Sequence, residues 1–592
     1  MNHNLPPSLH RQEWELIALV SLVTFIICSA VFMHFTWHWY SDWGSFSQHF
    51  SHWLKSIAEW ATKQHSSSWN NYWNWIQYHK LQYDFLIHLS LPFVISLIPA
   101  YGAGYLCYIP GGRDRLRHIS GPQLYSYQLA TQHAKKNLKS EIKQHPTLGI
   151  NLHPKIAIPR IRESGNIFVG GAQGVGKTVF IIPIIQQVIE RGERAFIYDE
   201  KREFTSLFYT SSNSILIAPW DERGIAWNIQ QDAKDTARAQ LIAEHIIASS
   251  QDPLWSNGAR LIFTGMIVIL NHTGEKWGWK ELASILTQDE TTLHQQLSQY
   301  YPQAARFIVE QSKTTQSFFA QLNSSLGWLF TLAEAWPKAY DDGFSITEWL
   351  NNPHTKHPVI IVQADKRYKN IGAPLANSLI ALTTSNILAQ TNSSKRELWL
   401  ILDELANLPK NESLMEWMSL GRSKGCRIIA GTQSISQLRS IYGVEEADTL
   451  LNMFALFCSM RVGAAGSTAV FTAKSFGERH IERPSNSFGP NGSKVINWQH
   501  DTQLLVNASD LVQLPLANHL GVEGYLLIPG WNSVYRLRWP VTNLQKYALE
   551  HCPAKWLSKA PPQKTSQKME KTSQRESLRN RRKRNAVHEC DQ

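Results

Sequence analysis

Apolar positions along this chain fall into two regimes. Two long runs come first. Residues 16–35 carry no charge, and residues 85–109 are interrupted only by His88, Pro92 and Pro99. Each is long enough to cross a bilayer core of about 30 Å at roughly 1.5 Å per helical residue, and proline is tolerated in such helices. Short, nearly continuous apolar runs follow at 166–170, 196–199, 358–363, 398–402, 427–431, 455–462 and 525–528. Runs of that length predict buried strands. Helical spacing at 179–189 and 371–388 separates some of them, so the second regime predicts an α/β domain. Between 230 and 349 the spacing is helical throughout, clearest at 261–270 and 318–332, which predicts an all-α insertion. Residues 485–493 are rich in Pro, Gly, Asn and Ser and predict a loop.

The flanks of the apolar runs set an expected topology. A cleaved signal peptide is the competing reading of the first run. Its apolar stretch is longer than the usual 7–15 residues, Glu13 and Glu15 precede it, and no A-x-A site follows, so a retained anchor is expected. Arg113, Arg115 and Arg117 follow the second run, with Lys135, Lys136 and Lys139 close behind. By the positive-inside rule that side is cytoplasmic. Two spans then place residues 1–15 in the cytoplasm and 36–84 outside. The outer segment holds eight tryptophans: Trp37, Trp39, Trp43, Trp53, Trp60, Trp69, Trp73 and Trp75. An interfacial belt with amphipathic helices and a docking surface for another membrane component both fit it.

Charge and cysteine usage change little in the body. Of the net +11, the stretch from Lys555 to the end supplies +7. That tail, 553–592, lacks apolar residues to bury and is expected to be disordered; contact with an acidic partner and a solvated terminus remain equal alternatives. The six cysteines show no CxxC pairing, which suits a reduced cytosolic body.

The sharpest chemical signal is the octapeptide Gly171-Ala172-Gln173-Gly174-Val175-Gly176-Lys177-Thr178, which matches G-x-x-x-x-G-K-[ST] between an expected strand and an expected helix. Its glycines let backbone N–H groups face phosphates at a helix N-terminus. Lys177 would reach the β/γ-phosphates of ATP, and Thr178 would bind Mg²⁺ through its hydroxyl. A second acid for the metal is expected at the end of 398–402, where Asp403 would hold Mg²⁺ and Glu404 would activate the attacking water. The next strand ends at Gln433, placed to sense the γ-phosphate or merely to start a turn. Arg422, Lys424 and Arg427 precede that strand; an arginine finger serving a neighbouring subunit and a solvated charged face both fit them.

At this point the residues resemble a known family. Residues 398–443, LWLILDELANLPKNESLMEWMSLGRSKGCRIIAGTQSISQLRSIYG, are similar to the Walker B-to-sensor block of the type IV secretion system coupling proteins, the conjugation ATPases. His118-Ile119-Ser120-Gly121-Pro122, Phe196-Ile197-Tyr198-Asp199, Ala218-Pro219-Trp220-Asp221-Glu222-Arg223 with Trp227-Asn228, and Asp252-Pro253-Leu254-Trp255 with Ala259-Arg260 fit the same family. The resemblance covers roughly 11–540. It implies a RecA-like P-loop NTPase motor domain (110–229 and 350–545) with an inserted all-α domain (230–349), preceded by two transmembrane helices. It also implies a homohexameric inner-membrane ring that hydrolyses ATP, moves DNA with its relaxase and meets type IV secretion channel components. By position it carries Lys177, Thr178, Asp403, Glu404 and Gln433 into the roles above and makes Arg422 the finger in trans. Gln173 stands where the family often has Thr, Val175 where a small residue is usual, and Ala218 where Asn is usual. A receptor gathering protein effectors for secretion and a chromosome translocase of the FtsK type are the competing functions; the latter usually has four spans and a winged helix, which this sequence lacks.

Overall fold

The computed structural model describes residues 14–39, 43–62, 67–107, 117–273, 276–309, 312–393, 396–464, 466–488, 494–542 and 544–559. Arg113, Arg115, residues 1–13 and the tail beyond 559 lie outside them. Two compact units are formed, one from residues up to 121 with 478–503, the other from 122–477 with the chain from 504 onward.

In the first unit, helices α1 (Trp14–Thr36) and α4 (Gln82–Cys107) pack antiparallel. Phe25 stacks on Phe93 at 5.8 Å. Gly104 of α4 faces Ser21 and Ile17 of α1, where the Ser21 hydroxyl lies closest. Four described helices are long and apolar enough to cross a membrane. Two of them, Pro253–His272 and 366–388, are 61% and 67% buried by protein, whereas α1 and α4 are only 6% and 28% buried. Only the latter pair therefore presents its apolar surface outward. Between them run α2 (Phe46–Ala61) and α3 (Ser67–Tyr78). They close a small aromatic core of Trp37, Trp43, Tyr72, Ile76 and Phe85. Buried His49 ties it together, with Tyr72 Oη at 2.8 Å from Nδ1 and the Trp43 carbonyl at 2.9 Å from Nε2.

The same unit contains a three-stranded sheet of β1 (Arg117–Ser120), β12 (Glu478–Phe488) and β13 (Lys494–Leu504). The loop expected at 485–493 is thus corrected. Residues 485–488 continue β12, because strand pairing outweighs the turn chemistry of isolated Pro, Asn and Ser at a hairpin end, and 489–493 lie outside the described residues.

The second unit is built on one ten-stranded sheet. Its strands are β2 (Gln123–Ser126), β5 (Ile167–Gly170), β6 (Arg194–Asp199), β7 (Ser214–Ile217), β8 (Val359–Gln363), β9 (Leu398–Leu402), β10 (Cys426–Thr432), β11 (Leu456–Ser459), β14 (Val522–Leu527) and β15 (Ser533–Trp539). Their order is β2-β15-β14-β11-β5-β10-β9-β6-β8-β7. The seven from β11 to β7 are mutually parallel; β14 runs antiparallel to β11, and β15, antiparallel to β14, pairs parallel with β2. Helices cover the parallel core, which is why its strands are apolar on both faces. A separate hairpin pairs β3 (Leu148–His153) with β4 (Ile156–Pro159). Helix α5 (Tyr127–Ile142) packs on β15, and α6 (Lys177–Glu190) follows β5.

Every helix of the insertion lies between β7 and β8. Asp235, Asp252 and Asp289 each accept a backbone N–H at a helix start. Buried Asp232 fastens both ends of the insertion. It accepts from Trp227 Nε1 at 2.8 Å on the outgoing side, and from Ser345 Oγ, Ile346 N and Thr347 N at 2.7, 3.0 and 2.9 Å on the returning side.

The expectation of disorder from Pro553 is corrected over its first residues. Pro553 bridges Asp221, Ala554 N–H donates to Trp220 O at 2.9 Å, and Trp556 Nε1 donates to Pro219 O at 2.7 Å. Trp556 supplies the apolar anchor that the Lys-rich composition conceals.

Candidate nucleotide site

The site forms where α6 leaves β5. Strand β5 lies between β10 and β11, with β9 one strand further, so a parallel strand separates the octapeptide from Asp403 and Glu404. All these strands point their C-terminal ends at one crevice, the usual ligand position in open α/β sheets.

The octapeptide is a tight loop capped by α6. Gly176 stands at φ +95°, and a Cβ there would meet Val522 Cγ2 at 2.5 Å. Both facts require glycine. Gly174 is left-handed too, at φ +72°. Gly171 and Ala172 anchor the loop rather than offering free donors. The Gly171 N–H donates to Thr432 O at 3.2 Å and the Ala172 N–H to Arg461 O at 2.9 Å. Gln173 and Gly174 are exposed. Val175 is buried, with Cγ2 filling the space that a Gly171 Cβ would need. Thr178 is half-buried in the first turn of α6.

Lys177 lies buried across the crevice. Its Nζ donates to Gly171 O at 3.0 Å and sits 3.5 Å from Glu404 Oε2. Glu404 is buried as well, and its other oxygen accepts from Thr432 Oγ1 and the Gln433 N–H, each at 3.1 Å. Burial pulls the Lys177 ammonium below its ordinary value while the attraction of Glu404 resists. Burial also pushes the Glu404 carboxyl upward, against Lys177 and the donors of Thr432 and Gln433.

Asp403 presents one oxygen to Lys201, at 3.1 Å from Nζ, while Oδ1 is buried with no hydrogen-bond partner. The β6–β9 register sets Tyr198 opposite Leu402, which brings Asp199 beside Asp403. Asp199 accepts from Thr205 N at 2.6 Å and Thr205 Oγ1 at 2.7 Å. Full burial pushes its carboxyl up to about 6, the Thr205 bonds resisting and Asp403 adding to the rise.

The three cations around the start of β10 separate cleanly. Arg427 is buried against Glu163 and Glu397, both at 3.4 Å, with its guanidinium over Trp399. Lys424 Nζ donates to Gln390 O at 2.5 Å. Both are structural. Arg422 is exposed, and its side chain has no hydrogen bond or ion pair among the described residues. It is not brought to the octapeptide of its own chain by any contact there.

Sequence reasoning missed Lys201, Asp199 and Thr432. The signal lay in Asp199-Glu200-Lys201, a second strand ending in acids, but only the pairing of β6 with β9 makes it part of the site. The Trp220–Asn228 block proves architectural. Asp221 accepts from Arg223 at 2.8 and 2.7 Å, and the Asn228 side chain caps a helix by accepting from Gln231 N.

Comparison with known proteins agrees with this architecture. A family model described as the type IV secretion-system coupling protein DNA-binding domain matches residues 151–540. Coupling protein TraD of Escherichia coli strain K12 is 24% identical over 408 residues, which are 67% of this chain and 56% of that protein, so the match spans little more than half of that relative. Among solved structures, the unbound bacterial conjugative coupling protein TrwB aligns with TM-score 0.60 at 22% identity, over 74% of this chain and 96% of the other. TrwB with ADP and Mg²⁺ aligns at 0.59 and 22%, over 75% and 99%. TrwB with a non-hydrolysable ATP analogue aligns at 0.60 and 22%, over 74% and 98%. These likenesses show the RecA-like fold with its helical domain. Since the family match runs from the β3–β4 hairpin through the insertion and on past β15, the chain belongs to the type IV secretion-system coupling proteins.

Proposed function

We propose that this protein is an ATP-driven DNA translocase of the bacterial inner membrane, coupling a relaxase–DNA substrate to a type IV secretion channel during conjugation. The observation that carries the reading is the convergence of Lys177, Asp403, Glu404 and Thr432 at one end of the parallel sheet. ATP phosphates would sit over the N-terminus of α6, facing the backbone N–H groups of 173–178. Lys177 would exchange Glu404 for the β/γ-phosphates. The residues fit Mg²⁺: Asp403 Oδ1 is a buried acceptor left unsatisfied, and Thr178 carries a hydroxyl in the first turn of α6. Bound Mg²⁺ would offset phosphate charge. Glu404 would orient the attacking water and take its proton, and burial moves its carboxyl toward the operating pH, which suits a base. Gln433, whose N–H holds the same carboxylate, would register loss of the γ-phosphate.

Arg422, exposed and without a partner among the described residues, suits a finger that completes the site of the next subunit in a homohexamer. In this scheme α1 and α4 anchor the chain, 36–84 is periplasmic, and the motor (110–229 and 350–545), the all-α domain (230–349) and the tail are cytoplasmic. Pore contacts to DNA would be chiefly to phosphate.

A second reading, recruitment of protein effectors, is favoured by one observation. Residues 230–349 contain 13 Asp/Glu and 8 Lys/Arg. An acidic domain repels phosphate and attracts a basic polypeptide. ATP hydrolysis by the full-length protein, with and without single-stranded DNA, decides between them. Strong stimulation by DNA, abolished in Lys177→Ala together with plasmid transfer, supports the motor. Hydrolysis indifferent to DNA, with normal transfer by the variant, overturns it.

A further inference from the structure

Helix α2 turns an apolar stripe largely to the outside. Phe46, Phe50, Leu54, Ile57 and Trp60 recur at helical spacing and are all exposed, Ile57 by 60% and Trp60 by 80%. The opposite face carries Gln48, Ser51, Lys55 and Glu59, while His49 and Trp53 turn toward the aromatic core. A helix with this division of faces lies along a bilayer surface with its apolar side in the acyl boundary.

Beside the stripe is a groove of about 430 Å³, lined by Trp53, Ser56, Ile57 and Trp60 of α2, Trp69 of α3, and Phe85 and Leu89 of α4. That volume falls in the roughly 300–1,000 Å³ range of small-molecule sites. What identifies the occupant is continuity. Phe85 and Leu89 lie in the first turns of α4, whose neighbouring Leu86, Val94 and Leu97 point outward. The groove wall therefore adjoins the outward, apolar side of the span. Water against it would leave a large apolar patch exposed, and the wall offers no charged side chain to a polar ligand.

We propose that this groove holds an acyl chain of an outer-leaflet phospholipid, with α2 lying in the headgroup boundary. The proposal rests on the reading of α1 and α4 as membrane spans. It turns the tryptophan-rich segment from a belt around the spans into a lipid-binding element with its own pocket.

The test is photocrosslinking. Full-length protein is reconstituted into bilayers containing phosphatidylethanolamine with a diazirine near the carbonyl end of one acyl chain, and adducts are located by peptide mass spectrometry. Adducts on Ile57 or Trp60 and on Phe85 or Leu89, together with adducts on outward positions such as Leu22 and Ile98, support the proposal. Adducts on α1 and α4 with none on α2 overturn it while leaving the spans intact. Absence of adducts from all three helices overturns the spans as well. Ile57→Glu would set a carboxylate against acyl carbon. It should lower α2 adducts about tenfold and leave those on Leu22 unchanged; equal adducts in the variant also count against the groove.

Discussion

Lys201 Nζ lies 3.1 Å from Asp403 Oδ2, so the carboxylate proposed for Mg²⁺ already has a cation of its own chain beside it. The lysine is nearly half exposed and free to withdraw, whereas Asp403 is buried and fixed. Lys201 therefore competes with the metal for one carboxylate. Lys201→Met should lower the Mg²⁺ concentration needed for half-maximal binding of a fluorescent ATP analogue, by about three- to tenfold. An unchanged or higher Mg²⁺ requirement would show that the pair is a surface contact without competitive effect.

The Lys177–Glu404 pair has both partners buried. Removing one alone leaves a buried charge uncompensated, at a cost of about 3–5 kcal/mol. Lys177→Met should therefore lower the unfolding midpoint in urea, and Lys177→Met with Glu404→Gln should recover most of the loss while both proteins lack ATPase activity. Additive losses in the double variant would argue against the pairing.

Asp199 gives a pH signature. Its folded-state value of about 6 lies above the ordinary 3.8, so the folded protein binds this proton more tightly than the unfolded chain does. Stability from this group is complete below about 3.8 and is lost as pH rises toward 6; at neutral pH the charged carboxylate costs up to about 3 kcal/mol. Asp199→Asn should raise the melting temperature at pH 7.5, and the gain should fall as pH drops through about 6 and vanish only below about 3.8. A gain that does not depend on pH would exclude this origin.

Arg422→Ala should reduce ATP turnover at least about 10²-fold with little change in nucleotide affinity. Mixing it with Lys177→Ala subunits should restore part of the activity, because some interfaces then combine an intact octapeptide with an intact Arg422. Mixtures as inactive as their components would count against a role in trans.

At the far edge, Asp221 accepts from Arg223 and from the Cys552 N–H at 3.0 Å. Burial works against its charge, but those donors hold its carboxyl below the usual range. Asp221→Ala should cost about 3 kcal/mol and release residues 544–559 to limited proteolysis. A variant as protease-resistant as the native chain would dissociate the two.

The parts legible in the sequence are those whose chemistry is local. The octapeptide, the Asp403–Glu404 strand end and the two long apolar runs each carry their signal within a few dozen residues. By residue type alone Arg422, Lys424 and Arg427 are indistinguishable, because charge alone describes them within six positions; only the family resemblance singles out Arg422. Their fates depend on Glu163, Glu397 and Gln390, which are distant in sequence or on other elements. Lys201 was invisible for the same reason, since its partner lies two hundred residues away on a neighbouring strand. The β12–β13 hairpin and the 553–559 segment were misread because turn-forming and basic composition describe unpaired chain, and pairing or a single anchored tryptophan overrides it.

Strand β10 joins two of these places. It is hydrogen-bonded on both sides, to β5 and β9. Its far end delivers Thr432 and Gln433 to Glu404, and its near end follows directly on the short helix bearing Arg422. Gly425, between them, is wedged against Arg396, where a Cβ would lie 1.9 Å from the carbonyl. Seven strand residues make a rod of about 23 Å with no slack joint along it. In the proposed ring, a shift at one subunit's phosphate sensor would arrive as a displacement of the arginine inserted into its neighbour. Firing order would then be transmitted by backbone alone, one strand per subunit, without a dedicated signalling domain.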